Sequence, residues 1–212
     1  GEPDPDGRVI AASAVKLLAP ILPSKIIGIG KNYADHAAEM KSELPAEPLM
    51  FLKPSTAVIG PGEVITLPNQ SSMVHHEAEL AVVIGRFCKD VPRDRVSEVI
   101  LGFTCANDVS ARDVQESDVQ WSRAKGFDTF CPLGPWIETD LDPSDLAVTA
   151  YVGDDLRQSG NTKNMIFSAV DLVSFVSHQM TLLPGDVILT GTPAGVGPIV
   201  SGDEVEVGIE GI

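Results

Sequence analysis

The stretch His75-His76-Glu77-Ala78-Glu79-Leu80-Ala81-Val82-Val83-Ile84-Gly85 limits what this chain can fold into more than any other. After Glu79 the residues are small or β-branched and apolar, the pattern of a buried strand. Strand side chains alternate faces with a period of two, so Glu77 and Glu79 point the same way. Two adjacent carboxylates repel each other and lose hydration at the edge of an apolar strand. A cation is therefore needed beside them. A third acid, Asp108, closes the segment Thr104-Cys105-Ala106-Asn107-Asp108 after another apolar run. Three carboxylates offer hard oxygen ligands, which suit Mg²⁺ or Mn²⁺ better than zinc. The plain alternative is a set of solvated surface acids.

At 212 residues the chain is long enough for one large domain with a substantial core. A hydrophobic share of 43% fits a globular protein rather than a disordered one. The formal charge of −15 disfavours nucleic acid or an anionic membrane surface as a partner. A metal and a few basic groups can still make a local site for an anionic substrate. Cys88, Cys105 and Cys131 form no Cys-x-x-Cys pair, which argues against a disulfide framework or zinc knuckle and for reduced thiols in a cytoplasmic protein. No apolar run reaches the length of a membrane span, and no signal-peptide pattern is visible. The chain starts at Gly1 without Met and ends at Ile212 inside a strand-like pattern, so terminal segments are expected to be missing.

Plentiful glycine (19) and proline (16) imply many turns and short strands. Residues 1–24 read as a poorly fixed leader with a short strand over 15–20, and residues 25–212 as one catalytic domain. Strands are expected at 25–30, 49–54, 63–67, 77–84, 100–106, 133–137, 147–152, 186–190 and 204–209. Helices are expected at 33–40, 94–99, 111–121 and 165–180. Residues 43–48 read as a mobile loop. Strands outnumber helices, with no βαβα alternation and no repeat, which favours a β-rich α+β domain.

Further groups carry chemistry. His36 and Glu39 are three apart and share a face if residues 33–40 are helical. A carboxylate can orient an imidazole and raise its basicity, as general-base catalysis on water requires. An ordinary exposed helix is the alternative. Gly28-x-Gly30 before them and the proline-rich loop after them suggest a hinged lid. Arg112 and Gln115 share a helical face near Asp108; Arg can bind a carboxylate bidentately and Gln can bond a carbonyl or water. Lys125 lies between aromatic residues, where it could stabilise an oxyanion or simply be exposed. The loop Thr190-Gly191-Thr192-Pro193-Ala194-Gly195-Val196-Gly197 leaves a buried strand; Thr192 could bond a substrate carboxylate, or the loop could be only a tight turn. It lacks Gly-Lys-Ser/Thr and is no P-loop.

The order and wording of five segments go further. Gly30-Lys31-Asn32-Tyr33 with His36 and Glu39, then His76-Glu77-Ala78-Glu79, then Asn107-Asp108-Val109-Ser110-Ala111-Arg112-Asp113-Val114-Gln115, then Lys125-Gly126-Phe127-Asp128, then residues 183–197 closely resemble the fumarylacetoacetate hydrolase family. The resemblance runs from about Lys25 to the last residue. It includes the acylpyruvate hydrolase and oxaloacetate decarboxylase branch and enzymes named 2-hydroxyhepta-2,4-diene-1,7-dioate isomerases. It implies a twisted β-roll with short flanking helices, normally a homodimer. It implies metal ligation by Glu77, Glu79 and Asp108, usually of Mg²⁺ or Mn²⁺, with Ca²⁺ a third candidate. By the same resemblance His36 and Glu39 match a lid dyad, Lys125 a catalytic lysine, Arg112 and Gln115 pocket residues, and Thr192 a substrate-contacting threonine. The chain lacks the upstream extension of many members and stops a few residues short of the usual end, which leaves dimer contacts open.

These residues fit one scheme. A metal chelates a small anionic 2-oxo acid and, as a Lewis acid, stabilises the enolate that appears when the bond beyond C3 breaks. In a hydrolase, Glu39 and His36 activate water and Lys125 steadies the oxyanion; in a decarboxylase, carbon dioxide leaves oxaloacetate. An isomerase of the 2-hydroxyhepta-2,4-diene-1,7-dioate or 5-carboxymethyl-2-hydroxymuconate type moves only a proton. The complete dyad favours cleavage, since a tautomerase needs no water activator. A non-catalytic metal- or ligand-binding module is the remaining class, because fold alone does not fix function.

Overall fold

The computed structural model describes residues 7–39 and 43–212. Residues 1–6 of the expected leader, Met40 at the end of the expected helix, and Lys41 and Ser42 lie outside the described residues. In chain order the strands are β1 (Ile26–Gly30), β2 (Leu49–Lys53), β3 (Val58–Ile59), β4 (Val74–His76), β5 (Ala78–Ile84), β6 (Ile100–Asn107) and β7 (Ser110–Ala111). They continue with β8 (Cys131–Glu138), β9 (Ala147–Val152), β10 (Asp155–Asn161), β11 (Val187–Leu189), β12 (Gly197–Pro198) and β13 (Val205–Ile209). The helices are α1 (Ala34–Glu39), α2 (Arg112–Ser117), α3 (Ser122–Lys125) and α4 (Ala169–Gln179).

Seven strands form the main sheet in the order β2-β1-β11-β5-β6-β8-β3. It is mixed: β1 lies parallel to β11 and β3 to β8, and the other neighbours are antiparallel. The sheet curls into a half-barrel, the β-rich architecture expected. Two three-stranded sheets, β10-β9-β13 and β12-β4-β7, pack around it.

β5 sits at the centre because every residue in it is buried. Its alternation feeds two cores. Leu80, Val82 and Ile84 pack with Leu172, Val173 and Val176 of α4 and with Val148 and Ala150 of β9. Ala81 and Val83 pack with Val187 and Leu189 of β11 and Leu133 of β8. A strand covered on both faces carries no polar alternation, which explains its continuous apolar run. A third cluster, with Val109, Val114, Ala124 and Phe130, underlies α2 and α3.

Several expected elements differ. Residues 15–20 form no strand: Val15, Leu17 and Leu18 stay exposed, and Lys16 pairs instead with Glu63 at 2.8 Å. Residues 63–67 form no strand either. Glu63 turns back to accept from the Gly60 amide at 2.7 Å, and Ile65 and Leu67 pack on the third cluster. The helix expected over 111–121 breaks, because Asp118 is extended (φ −95°, ψ 141°) and Ser117 Oγ donates to the Val114 carbonyl. The helix expected over 165–180 starts at Ala169. Ser168 and Asp171 form a capping box, and the amides of Ile166 and Phe167 go to Asn32. Residues 93–98 are a 3₁₀ helix. Among the described residues no helix is long and apolar enough to cross a membrane.

Candidate active site

The pairing of β5 with β6 builds the acidic centre. Ala78 lies opposite Asn107 and Glu79 opposite Ala106. One residue further on, the Asp108 amide donates to the Glu77 carbonyl at 2.9 Å. The Asn107 side chain accepts from the Glu77 amide, also at 2.9 Å. This register brings one oxygen from each of Glu77, Glu79 and Asp108 within 4.8 Å of one another, all on buried side chains.

Three buried cations answer these acids. Arg112 bonds Glu77 Oε1. Lys125, at the end of α3, donates to Glu77 Oε2 at 2.9 Å, Asp108 Oδ2 at 2.5 Å and Ser110 Oγ at 2.7 Å. Lys53, at the end of β2, bonds Asp108 Oδ1. Among the described residues Glu79 receives only the Gly191 amide, at 2.6 Å. Burial raises the Glu77 carboxyl, but Arg112 and Lys125 outweigh it and hold it well below the usual carboxylate range. Burial together with Asp108 and Glu77 pushes the Glu79 carboxyl far up. Burial disfavours the Lys125 ammonium, yet Asp108 and Glu77 leave its pKa raised. Glu79 is thus short of positive charge. Hard oxygen donors from three buried carboxylates, one of them with no directly bonded cation among the described residues, fit a divalent cation such as Mg²⁺ or Mn²⁺.

Glu77, Glu79, His36, Lys125, Arg112, Gln115 and Thr192 line one cavity of about 210 Å³. Asp108 sits behind its wall, 1% exposed. His36 reaches the cavity because Asn32 pins the turn before α1: its Nδ2 donates to the carbonyls of Thr190 and Phe167 at 2.7 and 2.9 Å. His36 Nδ1 lies 3.2 Å from Glu39 Oε2. The Gly195 amide also donates to Glu39, at 3.2 and 3.3 Å, tying α1 to the loop that carries Thr192. Arg112 Nη1 donates to Gln115 Oε1 at 2.8 Å, so these two meet one turn apart as their spacing implies.

All nine residues singled out in the sequence therefore converge. Sequence reasoning missed Lys53, Ser110, the Gly191 amide and Trp121, which lines the cavity and stands edge-on to Phe51 at 5.8 Å. Gly30 makes room for that ring: a β-carbon there would lie 2.4 Å from it. The lysine ending an apolar strand just before Pro54 was the available signal for Lys53.

A curled mixed sheet that carries one buried carboxylate in a central strand and two at the ends of its strands, with His36 of a His–Glu pair lining the same small cavity, defines a metal-site enzyme class. The chain belongs to the fumarylacetoacetate hydrolase family: the model of the "Fumarylacetoacetate (FAA) hydrolase C-terminal" family matches residues 25–212. Enzymes of this family are generally dependent on divalent metals. A solved structure titled 5-carboxymethyl-2-hydroxymuconate delta-isomerase, from Mycobacterium smegmatis, is 59% identical, with a TM-score of 0.91 over 97% of this chain and 82% of that one. Oxaloacetate tautomerase Fahd2a of Rattus norvegicus is 44% identical over 95% of this chain and 68% of its own length. The 2,4-didehydro-3-deoxy-L-rhamnonate hydrolase of Sphingomonas sp. is 43% identical over 88% of this chain and 70% of its own.

Proposed function

We propose that this chain cleaves a carbon–carbon bond of a small anionic 2-oxo acid, as an acylpyruvate hydrolase or oxaloacetate decarboxylase. One observation carries the reading: the three-carboxylate centre and a His–Glu pair serve the same cavity. Glu77, Glu79 and Asp108 would hold Mg²⁺ or Mn²⁺, which as a Lewis acid would favour negative charge on the 2-oxo end of the substrate. Glu39 holds His36 through Nδ1 and leaves Nε2 to take a proton from water. Water so activated attacks the distal carbonyl of an acylpyruvate; the adduct collapses with cleavage of the C3–C4 bond, one product leaving as the carboxylic acid and the other as pyruvate enolate, which takes the proton from His36 at C3. Lys125 contributes positive charge toward the oxyanion, while Thr192 and Arg112 take the substrate carboxylate. Three buried carboxylates facing three buried cations leave the centre near neutrality, so a bound dication calls for an anionic ligand.

Isomerisation is the second reading. The delta-isomerase title of the 59%-identical structure and the tautomerase name of the rat relative favour it, and a His–Glu pair can also move a proton between carbons. A non-catalytic module has less support, since binding alone does not use the dyad. The working form proposed here is a cytoplasmic homodimer. The buried free thiols of Cys88, Cys105 and Cys131 fit a reducing compartment, and sedimentation tests the dimer.

The deciding experiment assays oxaloacetate, acetylpyruvate, fumarylpyruvate and 2-hydroxyhepta-2,4-diene-1,7-dioate with and without Mn²⁺. Mn²⁺-dependent release of pyruvate from a keto substrate is the expected result. Tautomerisation without pyruvate or carbon dioxide would transfer the assignment to the isomerase reading.

A further inference from the structure

We infer that Gln158 is a positioning residue that makes Thr192 a hydrogen-bond donor to the anionic end of the substrate; this rests on the 2-oxo acid reading above. Gln158 lies in β10, fully buried, and lines no part of the cavity. Its Oε1 accepts from the Ala78 amide at 2.9 Å and lies 3.1 Å from His76 Nδ1. Its Nε2 donates to Thr192 Oγ1 at 2.7 Å and to the Pro193 carbonyl at 2.8 Å. The amide cannot turn over. Ala78 N–H only donates, so the oxygen must face it; the Pro193 carbonyl only accepts, so the nitrogen must face that.

This fixed polarity has a consequence for the cavity wall. Thr192 Oγ1 accepts from Gln158, which leaves its single hydrogen for another partner. Among the described residues Thr192 Oγ1 has no other bond, and Thr192 lines the cavity. The hydroxyl is therefore set to donate into the cavity, the polarity that an anionic oxygen needs.

The same amide also fixes a distance. His76 and Ala78 flank Glu77, so Gln158 ties the backbone of the cation seat to the loop that takes the substrate carboxylate. Backbone packing reinforces this: a β-carbon on Gly195 would lie 2.1 Å from the Arg157 carbonyl oxygen, and one on Gly160 would lie 2.4 Å from Pro193. The loop is pressed onto β10 where Gln158 reaches through.

The test compares Gln158→Glu, Gln158→Met, Thr192→Val and the Glu/Val double variant as Mn²⁺-loaded protein. It reads kcat and KM on oxaloacetate and acetylpyruvate, Kd for pyruvate, and Mn²⁺ affinity by calorimetry. Ionised glutamate keeps the shape and the acceptor for Ala78 but has no hydrogen for Thr192, so the hydroxyl turns toward it and away from substrate; methionine has no hydrogen to offer in any protonation state and reads the same loss where burial keeps the carboxyl protonated. The expected result is about a tenfold rise in KM and in pyruvate Kd for Gln158→Glu and Thr192→Val alike, the loss of roughly one hydrogen bond to a charged group. Mn²⁺ affinity and kcat stay near the wild type, and the double variant is no worse than Thr192→Val. Should Gln158→Glu fail to fold, Gln158→Met carries the same comparison. Effects that multiply in the double variant, or a Gln158 variant with unchanged KM beside a raised one in Thr192→Val, overturn the inference alone. An unchanged pyruvate Kd in Thr192→Val overturns the parent assignment of Thr192 as well.

Discussion

Lys53 and Asp108 are joined by an ion pair in the interior of the protein, their side chains 0% and 1% exposed. Lys53 binds one oxygen of the aspartate and Lys125 the other, at 2.5 Å. Lys53 also donates to the Phe130 carbonyl at 2.7 Å and the Val109 carbonyl at 3.4 Å. Asp108 is thus gripped on both oxygens by lysines from separate elements, β2 and α3. The candidate seat is pre-shaped by these contacts before any cation is considered.

Lys53→Met should cost about 3 kcal/mol of stability in metal-stripped protein, because buried Asp108 keeps Lys125 but loses its second cation, and the Phe130 carbonyl loses its donor. Urea unfolding in EDTA measures it. A loss below about 1 kcal/mol, the size seen for exposed pairs, would mean that the pair is not holding Asp108.

Glu79→Gln should act in opposite directions with and without metal. Burial and the charges of Asp108 and Glu77 disfavour the Glu79 carboxylate, while Gln keeps an oxygen for the Gly191 amide. Metal-stripped Glu79→Gln protein should therefore be more stable than the wild type at neutral pH, because the amide carries no charge to bury. It should also lose the rise in Tm that Mn²⁺ gives the wild type. Thermal melts in EDTA and in Mn²⁺ read both signs.

His36→Ala should lower kcat for acetylpyruvate hydrolysis about 10²–10⁴-fold, the usual contribution of a positioned base. Mn²⁺ affinity should hold, because His36 is no part of the carboxylate seat. Glu39→Gln keeps an oxygen beside Nδ1 and should do less harm. Undiminished turnover in His36→Ala removes the dyad from the mechanism.

Asp186 governs part of the acid limit of stability. Burial raises its carboxyl, but bonds from Lys25, Ser24 and the Leu183 amide outweigh that and leave it below the ordinary value of 3.8. A depressed folded-state pKa contributes stability above the unfolded value, lost as pH falls through the folded one. Asp186→Asn should thus cost about 2–3 kcal/mol at pH 7 and flatten the decline in stability below pH 4. Urea midpoints from pH 2 to pH 7 check it; parallel curves for the two proteins would exclude Asp186 as a contributor.

Much of the centre was legible in the sequence because it depends on local periodicity. Alternation pairs Glu77 with Glu79, and a spacing of three joins His36 to Glu39 and Arg112 to Gln115. Asp108 was different: its approach to Glu77 follows from the β5–β6 register, a property of two strands that neither encodes alone. Lys53 was hidden because lysine is rarely fully buried without a partner, and its partner lies 55 residues away. β10 was missed because Asp-Leu-Arg-Gln-Ser-Gly-Asn has no apolar alternation; it is a strand through its pairing with β9. Gln158 inside it gave no local sign of bonding Thr192.

Everything proposed for this cavity depends on Glu77, Glu79 and Asp108 holding a divalent cation that turnover requires. Calorimetric titration of EDTA-stripped protein with MnCl₂, beside Glu79→Gln and Asp108→Asn, tests it directly. One site per chain is expected, weakened about 100-fold or more in both variants, with turnover of a 2-oxo acid rising in proportion to the site filled. Equal Mn²⁺ binding in the wild type and Glu79→Gln, or full turnover in EDTA, would contradict it.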